Sequence, residues 1–313
     1  MNAIFSNLAP NPTPMQRLHW SLAERAGVNV WIKRLDLVHP QASGNKWYKL
    51  IGNLEAMRAQ GCNKVLSFGG GFSNHLHALA MVGQTLNLTT VGVVRGHYQE
   101  QLTPTLTDCW AAGMQLEFVD RFQWRRRDEP EYQEYLRQKY HFPWIVPEGG
   151  ANDQGFEGCR LLAREIITEL TQLTDQPVQV FSACGTGTTV AGLVAEMPSI
   201  YSVHGISVLK GADQLTEKIQ AQLNRAQSDI RCQWCVDTRW HCGGYAKYPP
   251  FIAKFVKEFE QEHGFLLDPV YTAKVLFAVA QLLETNCFKK DENVLILHTG
   301  GLQGRRGFPE LAS

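Results

Sequence analysis

The sequence predicts an α/β protein built on parallel sheets, and three observations carry that expectation. Short apolar runs at 64–68, 89–95, 178–184 and 293–298 recur with helix-patterned segments between them, the rhythm of parallel strands joined by right-handed crossovers. Three of the runs lead into glycine turns, at Gly69-Gly70-Gly71, Gly185-Thr186-Gly187 and Thr299-Gly300-Gly301. Finally, 313 residues at 44% hydrophobic content suffice for a large core divided into two lobes.

In chain order, residues 1 to about 30 form an entry segment, with turn formers at Pro10, Pro12 and Pro14 and a short helical pattern through Leu18, Leu22 and Ala26. Residues 28–35 alternate as a strand, and 36–41 loop toward Ser43-Gly44-Asn45-Lys46-Trp47-Tyr48-Lys49-Leu50. That polar turn opens a helix whose apolar positions Leu50, Leu54, Met57 and Ala59 run to Gly61. Helical spacing sets Lys46 and Lys49 on one face, where two ammonium groups call for an anion such as a phosphate. Charge crowding with partial burial would lower the Lys46 pKa and free its amine to form a Schiff base with an aldehyde. The plainer reading is an ordinary helix start, capped by Ser43 or Asn45 with both lysines in solvent.

The strand at 64–68 passes through its glycines and Phe72 into Ser73-Asn74-His75 and a helix over 76–83. Strand, glycine turn and helix N-terminus together suit an anionic ligand, although a simple capped turn gives the same pattern. A second unit follows, with a strand at 89–95, a helix at 103–113 and a strand at 114–119. Residues 121–141 are charged and aromatic at helical spacing, covering one lobe or marking a boundary; 144–152 is a strand end and turn, and 154–173 an amphipathic helix.

The strand at 178–184 then breaks into Gly185-Thr186-Gly187-Thr188-Thr189, the strongest local signal in the chain. Its glycines let backbone amides point inward, its threonines add hydroxyl donors and the helix from Thr189 contributes its positive end, so a phosphate fits. The turn lacks the Gly-Lys-Ser/Thr ending of a P-loop and the third Rossmann glycine, so a smaller phosphate-bearing cofactor suits it better than a nucleotide. A threonine-rich turn without ligand is the plainer alternative. A strand at 201–208, a helix at 213–226, an irregular region at 231–250 that contains Tyr245, a helix at 251–263, an acidic turn at Asp268 before another helix, and the strand at 293–298 complete the chain.

Composition narrows the function classes. Thirty Lys+Arg balance 30 Asp+Glu, which gives no general attraction to nucleic acid or to an anionic membrane. The basic run Arg125-Arg126-Arg127 is followed by Asp128 and Glu129 and reads as a solvated helix face. No apolar stretch is long enough to span a bilayer, and Met1 to Arg17 has no apolar signal-peptide core, so a soluble cytoplasmic protein is expected. Eight scattered cysteines read as reduced thiols; Cys232, Cys235, His241 and Cys242 are four possible zinc ligands, but the adjacency of the second pair makes a tetrahedral site awkward, and no metal is expected.

Ser43-Gly44-Asn45-Lys46, Ser73-Asn74-His75, Gly185-Thr186-Gly187-Thr188-Thr189, Asp268-Pro269-Val270-Tyr271 and His298-Thr299-Gly300-Gly301 occur in an order that resembles the pyridoxal 5'-phosphate (PLP) enzymes of the 1-aminocyclopropane-1-carboxylate (ACC) deaminase and D-cysteine desulfhydrase family. The resemblance spans about residues 31 to 305. It implies the two-lobed tryptophan synthase β-like fold (fold type II), with residues 1–49 and 141–313 in a larger PLP-binding lobe and 50–140 in a smaller mobile one. It further implies Lys46 as the covalent lysine, Lys49 as a phosphate contact, Asn74 beside the pyridine 3-hydroxyl, Ser73 at the substrate carboxylate, and Gly185, Thr186, Gly187, Thr188 and Thr189 around the phosphate. Tyr245 and Tyr271 match the family's active-site tyrosines, candidates for acid/base work or substrate clamping, or else ordinary half-buried rings. Thr272 stands at the position facing the pyridine nitrogen where ACC deaminases carry glutamate, and a neutral hydroxyl there makes the ring a weaker electron sink. Phe72 in place of a glutamine, and Trp47-Tyr48 between the lysines, are expected to alter the pocket lining. The activity implied is a lyase acting on a small amino acid, D-cysteine desulfhydrase-like, in a homodimer. ACC deamination, a non-catalytic PLP or small-ligand binding protein, and a nucleotide binder on the 185–189 turn are the alternatives.

Overall fold

The computed structural model describes residues 8–311; residues 1–7, read above as part of the entry segment, lie outside them. In order, the elements are β1 Met15–Arg17, α1 Ser21–Ala26, β2 Asn29–Arg34, α2 Asn45–Ala59, β3 Lys64–Gly70, α3 Asn74–Leu86, β4 Thr89–Arg95, α4 Pro104–Ala111, β5 Gln115–Val119, α5 Arg121–Arg125, α6 Pro130–Lys139, β6 Trp144–Val146, α7 Asp153–Leu173, β7 Val178–Cys184, α8 Thr188–Glu196, β8 Ser202–Ser207, α9 Leu215–Arg225, β9 Gln233–Asp237, α10 Pro250–His263, α11 Thr272–Glu284 and β10 Asn293–His298.

The strands form two sheets. One has six strands in the order β1-β2-β10-β7-β8-β9, and the other four in the order β5-β4-β3-β6. Every pairing is parallel except that of the edge strand β1 with β2. β7 and β10 read as near-continuous apolar runs because helices cover both faces of the sheet, and β10 is buried at every residue. The smaller sheet takes in β6, whose Trp144, Ile145 and Val146 pair with Val65, Leu66 and Ser67. The pairing therefore runs past the lobe boundary expected at 140.

Two strands escaped the sequence reading, β1 in the proline-rich entry and β9 inside the region taken as irregular. The 121–141 stretch is two helices, parted where Pro130 starts α6. Neither Ser43 nor Asn45 caps α2; its N-cap is Gly44, without a side-chain bond, while Asn45 Nδ2 donates to Thr189 Oγ1 at 2.8 Å.

Small residues let α2, α7 and α8 approach closely. A Cβ on Gly158 would overlap the Tyr48 carbonyl, and one on Gly192 would overlap Cys159. This tight contact fixes the start of α2 against the start of α8, the two ends that carry the lysines and the threonine turn.

Candidate active site

Ligand sites in open parallel sheets lie beyond the carboxyl ends of the strands, and here a cavity of about 800 Å³ opens there between the sheets. Lys46 and Lys49 reach it from α2, Ser73, Asn74 and His75 from the turn after β3, Gly185, Thr186, Gly187 and Thr189 from the turn after β7, and Tyr245, Tyr271 and Thr299 from loops of the larger sheet. Thr188 and Thr272 do not line it and are both fully buried. The cavity thus gathers ten of the twelve predicted residues.

Each position has a local cause. Gly44 holds φ 73°, and a Cβ there would overlap the Thr299 carbonyl oxygen, so only glycine lets the turn before Lys46 lie against the loop after β10. Gly187 holds φ 88° at the N-cap of α8. Ser73 caps α3 by accepting from Leu76 N at 3.2 Å. Asn74 Oδ1 accepts from Gln303 Nε2 at 2.7 Å. Asp268 Oδ1 accepts from the backbone N–H groups of Tyr271 (2.5 Å) and Thr272 (3.2 Å), which sets the start of α11.

The electrostatics follow from burial in a cationic pocket. Burial first, and the Lys49 charge second, lower the Lys46 amine to about 7. Burial also lowers Lys49, whose Nζ donates to the Gly149 carbonyl at 3.2 Å. Tyr245 is pushed up to about 12 and Tyr271 well above the usual phenol value, again by burial, so both rings stay protonated. Their centroids are 6.2 Å apart. Asp268 rises to about 7 through burial, against the backbone hydrogen bonds that lower it.

Several expectations need correction. Phe72 packs against Gly307. Trp47 and Tyr48 are core residues, 1% and 2% exposed, with Trp47 Nε1 donating to Leu8 O (3.0 Å) and the Tyr48 hydroxyl to Glu165 Oε2 (2.6 Å). None of the three lines the pocket: α2 turns Trp47 and Tyr48 away from Lys46, and Phe72, in the turn before α3, packs on the segment after β10. Arg127, expected on a solvated face, lines the cavity instead; it lies 5.0 Å over the Trp124 ring and pairs with Glu148 at 3.3 Å. Arg95, Trp124 and Glu148 also line the wall and were missed; the i, i+3 spacing of Trp124 and Arg127 was the available signal. Cys235 is exposed, with Sγ 3.4 Å from His204 Nδ1, while Cys232 is buried. Among the described residues no group of three or more His, Cys, Asp or Glu is placed to hold a metal, and no helix is long and apolar enough to cross a membrane.

The donor set fits PLP. A turn of amides and threonine hydroxyls at a helix N-terminus suits its phosphate, a neutralisable amine on the same wall suits its aldehyde, and the buried Thr272 Oγ1 has no partner among the described residues. A two-lobed parallel α/β chain with such a lysine in its cleft defines a PLP enzyme of the tryptophan synthase β-like fold.

The comparisons agree. This chain belongs to the pyridoxal-phosphate dependent enzyme family, whose model matches residues 7–300, and PLP is its cofactor. A Pyrococcus abyssi protein provisionally named 1-aminocyclopropane-1-carboxylate deaminase is 29% identical over 95% of this chain and 91% of its own. The bifunctional mitochondrial D-cysteine desulfhydrase/1-aminocyclopropane-1-carboxylate deaminase of Arabidopsis thaliana is 28% identical over 95% of this chain and 78% of its own. A solved structure described as an ACC deaminase homologue superposes with a TM-score of 0.80 at 26% identity, covering 97% of this chain and 96% of that one.

Proposed function

We propose that this enzyme is a carbon–heteroatom lyase acting on a small amino acid, D-cysteine or a close β-substituted analogue, and releasing pyruvate and ammonia. The observation that carries this reading is Thr272, a neutral, fully buried hydroxyl at the position assigned to the pyridine nitrogen. It supplies no charge to stabilise a pyridinium, which favours substrates whose leaving group departs readily over one whose cyclopropane ring must open.

When bound, PLP supplies the electron sink that makes the substrate's α-proton removable. The chain's own residues do the rest. The turn of Gly185, Thr186, Gly187, Thr188 and Thr189, with Lys49, would hold the phosphate, and Asn74 would bind on the 3-hydroxyl side. Lys46 would hold the cofactor, and its amine, once released by the incoming substrate and about half neutral near pH 7, takes the α-proton. Ser73 and the first N–H groups of α3 hold the substrate carboxylate. Tyr271 or Tyr245, both kept protonated by burial, would protonate the leaving sulfur or steer it. For D-cysteine, water and substrate leave as pyruvate, ammonia and sulfide.

The test is a panel of D- and L-amino acids with keto-acid detection. Pyruvate from D-cysteine or β-chloro-D-alanine is expected. The names of the relatives favour a second reading, ACC deamination, which release of 2-oxobutanoate from ACC with no pyruvate would establish instead. Lys46→Ala should abolish the visible absorption band of the holoenzyme together with turnover. The family resemblance also supports a homodimer, which light scattering would resolve.

A further inference from the structure

Two polar atoms of the cavity wall lack partners, and they complement each other. His75, 2% exposed in the first turn of α3, lines the cavity. Its Nε2 lies 2.9 Å from Ser67 Oγ, and that hydroxyl donates to the Val146 carbonyl at 2.8 Å. A hydroxyl has one proton; with it committed to the carbonyl, Ser67 Oγ accepts from the ring, so Nε2 carries the imidazole proton. Nδ1 is then a bare acceptor, and it is buried with no partner among the described residues. The second atom is the Lys46 amine, which makes no hydrogen bond among the described residues, whereas Lys49 is tied to Gly149 O.

We propose that His75 Nδ1 accepts a hydrogen bond from Lys46 Nζ once substrate has displaced that nitrogen from the cofactor, so that His75 positions the amine for the substrate's Cα–H bond and then steadies the ammonium formed there. This rests on Lys46 being the covalent lysine of the preceding section. The transferred proton stays on Nζ. Burial, Lys46 and Lys49 hold the imidazole well below the usual histidine value, so it does not take the proton over. His75 is a positioning residue, and the strand pairing of Ser67 beside Val146 in β3 and β6 sets its tautomer.

Nitrogen NMR of the holoenzyme labelled with ¹⁵N-histidine tests it, with and without D-alanine, which engages the cofactor but has no leaving group. The expected result is an Nε2–H tautomer throughout, with the Nδ1 resonance moving toward the hydrogen-bonded position when D-alanine is added. Exchange of the alanine α-proton for deuterium gives the kinetic arm. His75→Phe should retain the visible cofactor band yet slow exchange about ten- to a hundredfold, the loss of one hydrogen bond to a charged group, and His75→Gln should recover most of it. If His75→Phe does not fold, Ser67→Ala serves, since it frees the ring to adopt the other tautomer and should slow exchange as well. An Nδ1–H tautomer in the holoenzyme, or wild-type exchange in His75→Phe, overturns the assignment. If the resonance shift is present but the substrate panel yields no keto acid, the lyase reading fails and the role of His75 stands.

Discussion

Burial and the Lys49 charge bring the Lys46 amine into its neutral form well below the pH at which an ordinary lysine loses its proton, from 10.5 to about 7. Imine formation needs that neutral form, so the rate at which the apoprotein acquires the visible band with added PLP should climb through about pH 7 and level off above pH 8. A rate still climbing at pH 10 would show an unperturbed lysine. The same shift has a stability consequence of definite sign. Between about pH 7 and 10.5 the unfolded chain holds a proton on Lys46 that the folded apoprotein does not, so this group's contribution to stability rises with pH across that window and is least favourable below pH 7. Asp268 works the other way. Folded, it keeps its proton up to about pH 7, so its contribution is fully present below pH 3.8 and declines as pH rises from there to 7. Lys46 stood out in the sequence because two lysines three residues apart follow a Ser-Gly-Asn turn. His75 did not acquire a role there, since the partner that fixes its tautomer, Ser67, is in turn held by Val146, 79 residues away along the chain.

At the scale of elements, the close approach of α2 to α7 depends on glycine. Gly158→Ala would drive a methyl group into the Tyr48 carbonyl oxygen, and because backbone cannot yield as a flexible side chain does, the variant should lose about 2 kcal/mol or more. Chemical denaturation should show the loss, and the visible band should weaken with it as Lys46 shifts with α2. β7 and β10 were legible because they are buried on both faces and therefore continuously apolar. β1 and β9 were not. Each is an edge strand paired on one side only, and β9, with Gln233, Cys235 and Asp237, has too little buried surface to impose an apolar pattern.

For the whole molecule, the proposed cofactor site lies between elements of both sheets, and PLP bound there would add its binding free energy to the stability of the folded chain. At free PLP about a hundredfold above its dissociation constant the gain should be about 2.7 kcal/mol, and removing PLP should lower the melting temperature by several degrees. An unchanged melting temperature would show that PLP does not bind the folded chain in preference to the unfolded one. A tie runs from Asp108 on α4 to Arg306, in the segment after β10, and Asp108 also meets His77 on α3 at 3.2 Å. Being partly exposed, it contributes little to stability, and we propose that it helps set how the smaller lobe closes over substrate.

By itself the sequence determined the parallel α/β class, the lysine turn and the glycine–threonine turn, because each is written in local pattern: strand periodicity, glycines where a side chain cannot fit, and threonines at a helix start; the cofactor followed from the resemblance that five such motifs, taken in order, bear to a known family. Only the tertiary structure decided which side of α2 faces the cleft, sending Trp47 and Tyr48 into the core, and that Arg127 and Glu148 meet at its wall. It also decided that Asn45 reaches Thr189, a contact spanning 144 residues. Such pairings depend on how helices are rotated and how two sheets are set beside each other, and no short window of sequence carries that information.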